Sequence, residues 1–194
     1  PPDISVDNFE AIAVYSDMKR TGYFKCSNEK VNKLYSNIIW SQKDNFLDVP
    51  TDCPQRDERL GWTADAQVFA RAAVYNFDVR RFFSKWLNDL SADQYPNGTV
   101  PYIVPDVLDG SEEATSAAYG DAAVIIPWEM YRIYGDKKIL ERQIDSMIAW
   151  VEYMHGYGEE EYLWLGHTQL GDWLHLDHLD NPDEIRRRDD FIAS

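Results

Sequence analysis

Basic side chains are scarce in this 194-residue chain: 19 Lys and Arg stand against 34 Asp and Glu, a formal net charge of −15. That balance argues against a phosphate-binding surface, because contact with nucleic acid depends on clustered Lys and Arg that displace counterions. An anionic membrane surface is disfavoured for the same reason. Cysteine is rarer still. Cys26 and Cys53 are the only two, too few for a disulfide framework and without the paired spacing of a zinc site. No apolar run approaches the roughly 20 residues that a membrane-spanning helix requires, and the compartment stays open. Aromatic residues, by contrast, are plentiful. With 44% hydrophobic and 14% aromatic residues, the chain is far from the composition of a disordered acidic tail, and a packed core is expected. It opens Pro1-Pro2-Asp3 without Met and stops at Phe191-Ile192-Ala193-Ser194 inside a helical pattern, so a piece of a longer protein is expected.

Hydrophobic periodicity organises the chain. Loose alternation from Phe9 to Tyr15 predicts a short strand, and Gly22-Tyr23-Phe24 a second. Ser27 is the expected N-cap of a helix whose face is Val31, Leu34, Tyr35, Ile38, Ile39 and Phe46, ending near Leu47. Residues 48–62, rich in charge and interrupted by proline and glycine, read as a loop. Thr63 or Asp65 opens the next helix on Val68, Phe69, Ala72 and Ala73. Asp78 opens another on the stripe Val79, Phe82, Phe83, Trp86, Leu87 and Leu90. Residues 93–115 form a connection long enough to be functional or mobile. Helices follow over 117–134, interrupted by Pro127, and from an Asp136 cap to a stop at Gly156 or Gly158. An irregular region over 166–183 precedes a last helix begun at Pro182. Trp40, Trp86, Trp128, Trp150 and Trp164 fall in or near helical stripes and are assigned to the core. Helices in successive pairs, with no strand between them, argue against a parallel α/β sheet. Without self-similarity at a fixed period, a ring of hairpins is favoured over a consensus solenoid. The long connections then collect at one mouth, where function would sit.

The densest chemistry lies in Thr51-Asp52-Cys53-Pro54-Gln55-Arg56-Asp57-Glu58-Arg59-Leu60-Gly61-Trp62-Thr63-Ala64-Asp65. A pair of carboxylates with unlike surroundings is the minimum equipment of a glycosidase, one protonated to serve the leaving oxygen and the other ionised. Trp62 offers a flat face to the carbon-hydrogen side of a sugar ring, while Asp52, Arg56 and Asp65 can hold hydroxyls. On composition alone the blander reading prevails, a solvated loop of surface ion pairs each worth little. Asp172, His175, Asp177, His178 and Asp180 are ligand types close in sequence, but their spacing is a weak metal signal. Cys53 lacks a paired His and reads as a small buried side chain rather than a nucleophile.

The motif Asp52 to Asp65, together with Gly22-Tyr23-Phe24-Lys25-Cys26-Ser27-Asn28, Asn45-Phe46-Leu47-Asp48-Val49-Pro50, Gly120-Asp121-Ala122-Ala123-Val124-Ile125-Ile126-Pro127-Trp128 and Gly171-Asp172-Trp173-Leu174, resembles the catalytic domain of the bacterial α-L-rhamnosidase family of glycoside hydrolases. The resemblance implies an all-α fold, roughly the first half of an (α/α) barrel of six hairpins preceded by a short β segment. Residues 1–25 would then be a β segment or linker from a preceding β-sandwich domain, and 26–194 the N-terminal part of the barrel. It implies removal of terminal α-L-rhamnose with inversion, a rhamnose-containing glycoside as partner, and no cofactor, metal, nucleic acid or membrane. The remainder of the same polypeptide would supply the missing barrel half. By match, Glu58 is the general acid, its pKa expected to be raised by burial and by Asp52 and Asp65. Asp52, Arg56, Trp62 and Asp65 hold the sugar, with Asp106 and Trp173 as further contacts. Tyr119 stands where the family has a Trp, and the family's general base would lie beyond position 194. From the residues alone, another (α/α)-barrel glycosidase or lyase and a non-enzymatic helical interaction module stay open.

Overall fold

The computed structural model describes residues 5–107, 114–157, 163–164, 167 and 169–170. Its framework is five α-helices, α1 Glu29–Asn45, α2 Thr63–Asn76, α3 Arg80–Asp93, α4 Ala122–Tyr134 and α5 Lys137–Tyr157, with one short antiparallel pair, β1 Phe46–Leu47 and β2 Val49–Pro50.

Helix α1 begins one residue later than expected. The Asn28 side chain accepts from the amides of Lys30 and Val31, as an N-cap should. Behind it, Asn32 is tied to the Cys26 backbone in both directions, accepting from its N–H and donating to its carbonyl at 2.9 Å each. The helix stops at Asn45 because the chain reverses there: Asp48 takes a left-handed φ of 68°, which Asp tolerates better than most residues, and β2 folds back on β1. Phe46 is thereby buried, its ring stacked on Phe82 at 4.4 Å and edge-on to Phe83 at 5.7 Å.

The α3 stripe is the core, as its period predicts: Phe82, Phe83, Trp86, Leu87 and Leu90 are all buried. Helix α2 contributes small residues instead. Ala66, Ala70 and Ala73 lie buried on one side, and such residues let a neighbour approach closely, here α4. Helix α4 is the hub, packed on α2, α3 and α5, and it carries Pro127 in its interior without ending there. Gly135, with φ 68°, closes it, and the α5 start follows, with the Lys138 N–H donating to Asp136. Short connections therefore join α2 to α3 and α4 to α5, whereas long ones join α1 to α2 and α3 to α4, as the sequence pattern anticipates.

Several expectations are corrected. Phe9–Tyr15 is not a strand: these residues are exposed and irregular, because no backbone edge among the described residues receives them. Gly22-Tyr23-Phe24 forms no strand either; β pairing in this part is a single bridge between Arg20 and Phe77. Trp40 and Trp128 are each 48% exposed, since they sit on faces of α1 and α4 turned away from the buried cluster; Lys43 lies over the Trp40 ring at 4.6 Å. Trp86, Trp150 and Trp164 are buried as expected. The α5 helix runs through Gly156 to Tyr157. Gly158 as a stop, the irregular 166–183 region for the most part, and the helix from Pro182 lie outside the described residues. Apolar side chains remain open on α1 (Leu34, Ile38), α2 (Val68) and α5 (Ile148, Val151).

Between the two long connections runs a short piece of backbone pairing. The Val104 N–H donates to Gly61 O and the Thr63 N–H to Tyr102 O, both at 2.9 Å. Trp62 bridges Ile103, and the Trp86 indole donates to Val104 O at 3.0 Å. A Cβ on Gly61 would run into that same Val104 carbonyl oxygen. Gly61→Ala is therefore expected to destabilise the fold by about 1–3 kcal/mol, the usual cost of forcing atoms into filled space, as read by chemical denaturation.

Candidate active site

The motif loop hangs from a narrow base, the Asp52 N–H donating to Leu60 O at 3.4 Å, with Arg59 at a left-handed φ of 46°. Its crest, Gln55 to Arg59, is exposed. The loop leads directly into α2, so Trp62 and Asp65 are carried by a helix end. Trp62 occupies the N-cap position and offers no side-chain cap. The Thr63 hydroxyl is turned to Tyr102 O at 2.9 Å, which binds the helix start to the second long connection.

Four of the expected site residues converge here. Asp52 and Asp65 line one cavity of about 430 Å³ together with Ser41, Asn45 and Thr51. The Asp52 Oδ1 atom is buried and makes no hydrogen bond among the described residues. Asp65 keeps an outer edge in solvent, yet its carboxyl is pushed above the ordinary range, first by lost hydration and then by the negative charge of Asp52. Tyr119 completes the group. Burial raises its phenol, and Asp65 and Asp52 add to the rise, so it stays a neutral hydroxyl. The Tyr119 ring stands edge-on to Trp62 at 6.0 Å and to Tyr102 at 5.1 Å, giving a wall of three aromatic rings beside two acids.

The other expected residues lie differently. Arg56 and Glu58 form an ion pair at 3.3 Å on the loop crest, where the Glu58 side chain is 40% exposed. The burial expected of Glu58 is therefore corrected: its partner is a guanidinium, while the Asp52 charge bears on Asp65, and both bear on Tyr119. Asp106 sits in a separate polar knot, accepting from the Tyr95 hydroxyl at 2.8 Å while its N–H donates to Asp93. Trp173, with Asp172, His175, Asp177, His178 and Asp180, lies outside the described residues. Cys53 is partly exposed; the adjacent Asp52 carboxylate, ahead of burial, raises its thiol, which keeps it protonated and a poor nucleophile. Among the described residues no three His, Cys, Asp or Glu are grouped to hold a metal. Tyr102 is the member of the aromatic wall that the sequence did not reveal, since it sits in a loop with no period to mark its direction. Ser41 and Asn45 were hidden because they lie at the polar end of α1.

A family model for the bacterial α-L-rhamnosidase six-hairpin glycosidase domain matches residues 19–194. The chain belongs to that family. An α-L-rhamnosidase of Formosa agariphila is 42% identical over 166 residues, 85% of this chain and 17% of the relative. Among solved structures, the Streptomyces avermitilis α-L-rhamnosidase complexed with L-rhamnose superposes with a TM-score of 0.81 at 37% identity, over 92% of this chain and 16% of that one. The native enzyme of Aspergillus terreus gives 0.82 at 39% identity, over 94% and 21%. The chain thus spans about a sixth to a fifth of the proteins it matches, and its five described helices are a partial (α/α) barrel.

Because the folded state binds the Asp65 proton more tightly than the unfolded chain does, stability contributed at that site falls as pH rises through the carboxylate range. Asp65→Asn should therefore raise the melting temperature at pH 7 relative to the unsubstituted protein, with the gain shrinking toward pH 3. Thermal melts across that interval check it.

Proposed function

We propose that this chain is the acid-side segment of a glycoside hydrolase that removes terminal α-L-rhamnose. The observation that carries the proposal is the aromatic wall of Trp62, Tyr119 and Tyr102 with Asp65 and Asp52 near enough to act on the Tyr119 phenol, in a member of a family whose Streptomyces avermitilis representative is described in complex with L-rhamnose. A deoxyhexose has one face of carbon-bound hydrogens and a methyl group, which aromatic rings cover well. Its hydroxyls donate to carboxylates in charge-assisted hydrogen bonds. The orphaned Asp52 Oδ1 is an acceptor waiting for such a donor, and the neutral Tyr119 hydroxyl is a donor for a ring oxygen or hydroxyl.

Glu58 protonates the glycosidic oxygen. Its exposed place beside Arg56, outside the cavity that Asp52 and Asp65 line, supports a role toward the departing aglycone. The remainder of the same polypeptide completes the walls and carries the base, which in an inverting enzyme stands roughly 6.5–9.5 Å from the acid to leave room for water. In the unloaded enzyme Glu58 is paired with Arg56; to act it leaves that pair, takes up a proton from solvent, and passes that proton to the oxygen of the departing aglycone. No cofactor enters the reaction.

In the full-length enzyme, Glu58→Gln should lower turnover of α-L-rhamnosides with poor leaving groups by about 10²–10⁴-fold, the usual worth of a general acid, while L-rhamnose binding stays nearly intact. Unchanged turnover removes Glu58 from the role. The first sugar released should be the β-anomer by NMR; the α-anomer would exclude inversion.

A further inference from the structure

Tyr119 owes its position to an unusual turn. Ala118 just before it has a left-handed φ of 62°, a conformation that costs an L-residue about 1 kcal/mol or more and persists only when neighbours impose it. Backbone bonds from Tyr119 N–H to Ala117 O at 2.7 Å and from Gly120 N–H to Ser116 O at 3.1 Å close this turn, and Asp121 adds a side-chain hold on it. It occupies the N-cap position of α4, where an Asp side chain ordinarily accepts from the first helical amides, yet it makes no such cap. Its carboxylate turns backward instead. Oδ2 accepts from the Ala118 N–H at 2.9 Å, and Oδ1 accepts from the indole N–H of Trp150 at 3.0 Å. Trp150 is fully buried, so that indole is a fixed point supplied by α5. The turn also rests flat on this ring, since a Cβ on Gly120 would collide with it.

We infer that Asp121 is a positioning residue for the sugar site: by bridging the buried Trp150 indole to the left-handed Ala118 amide, it holds the Tyr119 ring against Trp62. The chain of contacts is continuous, from α5 through Trp150 to Asp121, then to Ala118, Tyr119 and Trp62. Asp121 touches no part of the aromatic wall itself, and its effect on substrate passes through Tyr119. Both carboxylate oxygens receive donors, so an amide, which has one acceptor and presents N–H toward one of those donors, cannot reproduce the bridge. This inference rests on the reading of the mouth as a sugar site.

The test is a double-mutant cycle in the full-length enzyme with an aryl α-L-rhamnoside. Asp121→Asn should raise KM on the order of 10-fold with kcat changed less than about 3-fold, because it loosens a binding wall and leaves the acid in place. In a Tyr119→Ala background the same substitution should change KM less than about 2-fold, since the group through which it acts is gone. Trp150→Phe, which removes the indole donor together with the ring atoms beneath Gly120, should shift KM in the same direction. An equal KM factor in both backgrounds, or a folded Asp121→Asn enzyme with unchanged KM, overturns the inference. If the unsubstituted enzyme cleaves no rhamnoside, the functional reading fails by itself, and the positioning role is then read without substrate. Near-ultraviolet circular dichroism should lose in Asp121→Asn much of the Trp62–Tyr119 signal that Tyr119→Ala removes; full retention of that signal overturns it.

Discussion

Everything at the loop mouth depends on the few backbone hydrogen bonds that stitch residues 61–63 to 102–104. Each long connection alone has only weak reasons to adopt one shape, because loops lack the repeating ladder that stabilises a helix or sheet. Paired, they satisfy each other's amides and carbonyls: Gly61 with Val104, Thr63 with Tyr102. The Trp86 indole anchors the pairing to the α3 core. Glycine at 61 is required because the opposing carbonyl occupies the place of its Cβ. The pairing also starts α2, so the direction of Trp62 and Asp65 follows from contact with a segment some forty residues away in sequence, not from local propensity.

Charge then differentiates residues that look equivalent in the sequence. Asp52, Asp57, Glu58 and Asp65 are all acids within one short motif. Asp65 and Asp52 share a cavity, where burial and the Asp52 charge raise the Asp65 carboxyl, whereas Glu58 lies in solvent against Arg56. Partial burial of Tyr119 lets the nearby acids act on it, and solvent at the crest screens the Arg56–Glu58 pair. The acids of the motif are thereby divided between a shared cavity and an exposed ion pair, a division that the proposed reaction would use.

The fold was legible where apolar side chains recur at helical spacing. The α3 stripe from Phe82 to Leu90 and the α5 face through Ile139 and Trp150 are buried as their period requires. Alternation over Phe9–Tyr15 misled because a strand needs a partner edge, and a pattern of period two cannot supply one. Trp40 and Trp128 misled for a related reason: an aromatic residue near a stripe can still fall on its border and stay half in solvent. Within the site, the motif carried Asp52 at the base of the loop and Trp62 and Asp65 in the first turn of α2. It carried no information on Tyr102, whose side-chain direction is decided by cross-loop pairing, nor on the solvent exposure of Glu58.

The sequence by itself determined the helical pairs, the positions of the long connections and membership in the family, because side-chain periodicity and a dense motif are local properties that survive being written as a string. Only the tertiary structure decided which acids meet, which aromatic rings form the wall, and that Asp121 abandons its helix cap to grip Trp150 and Ala118. Those outcomes depend on distances between residues far apart along the chain, and such distances exist only once the helices have packed and the two loops have closed on each other.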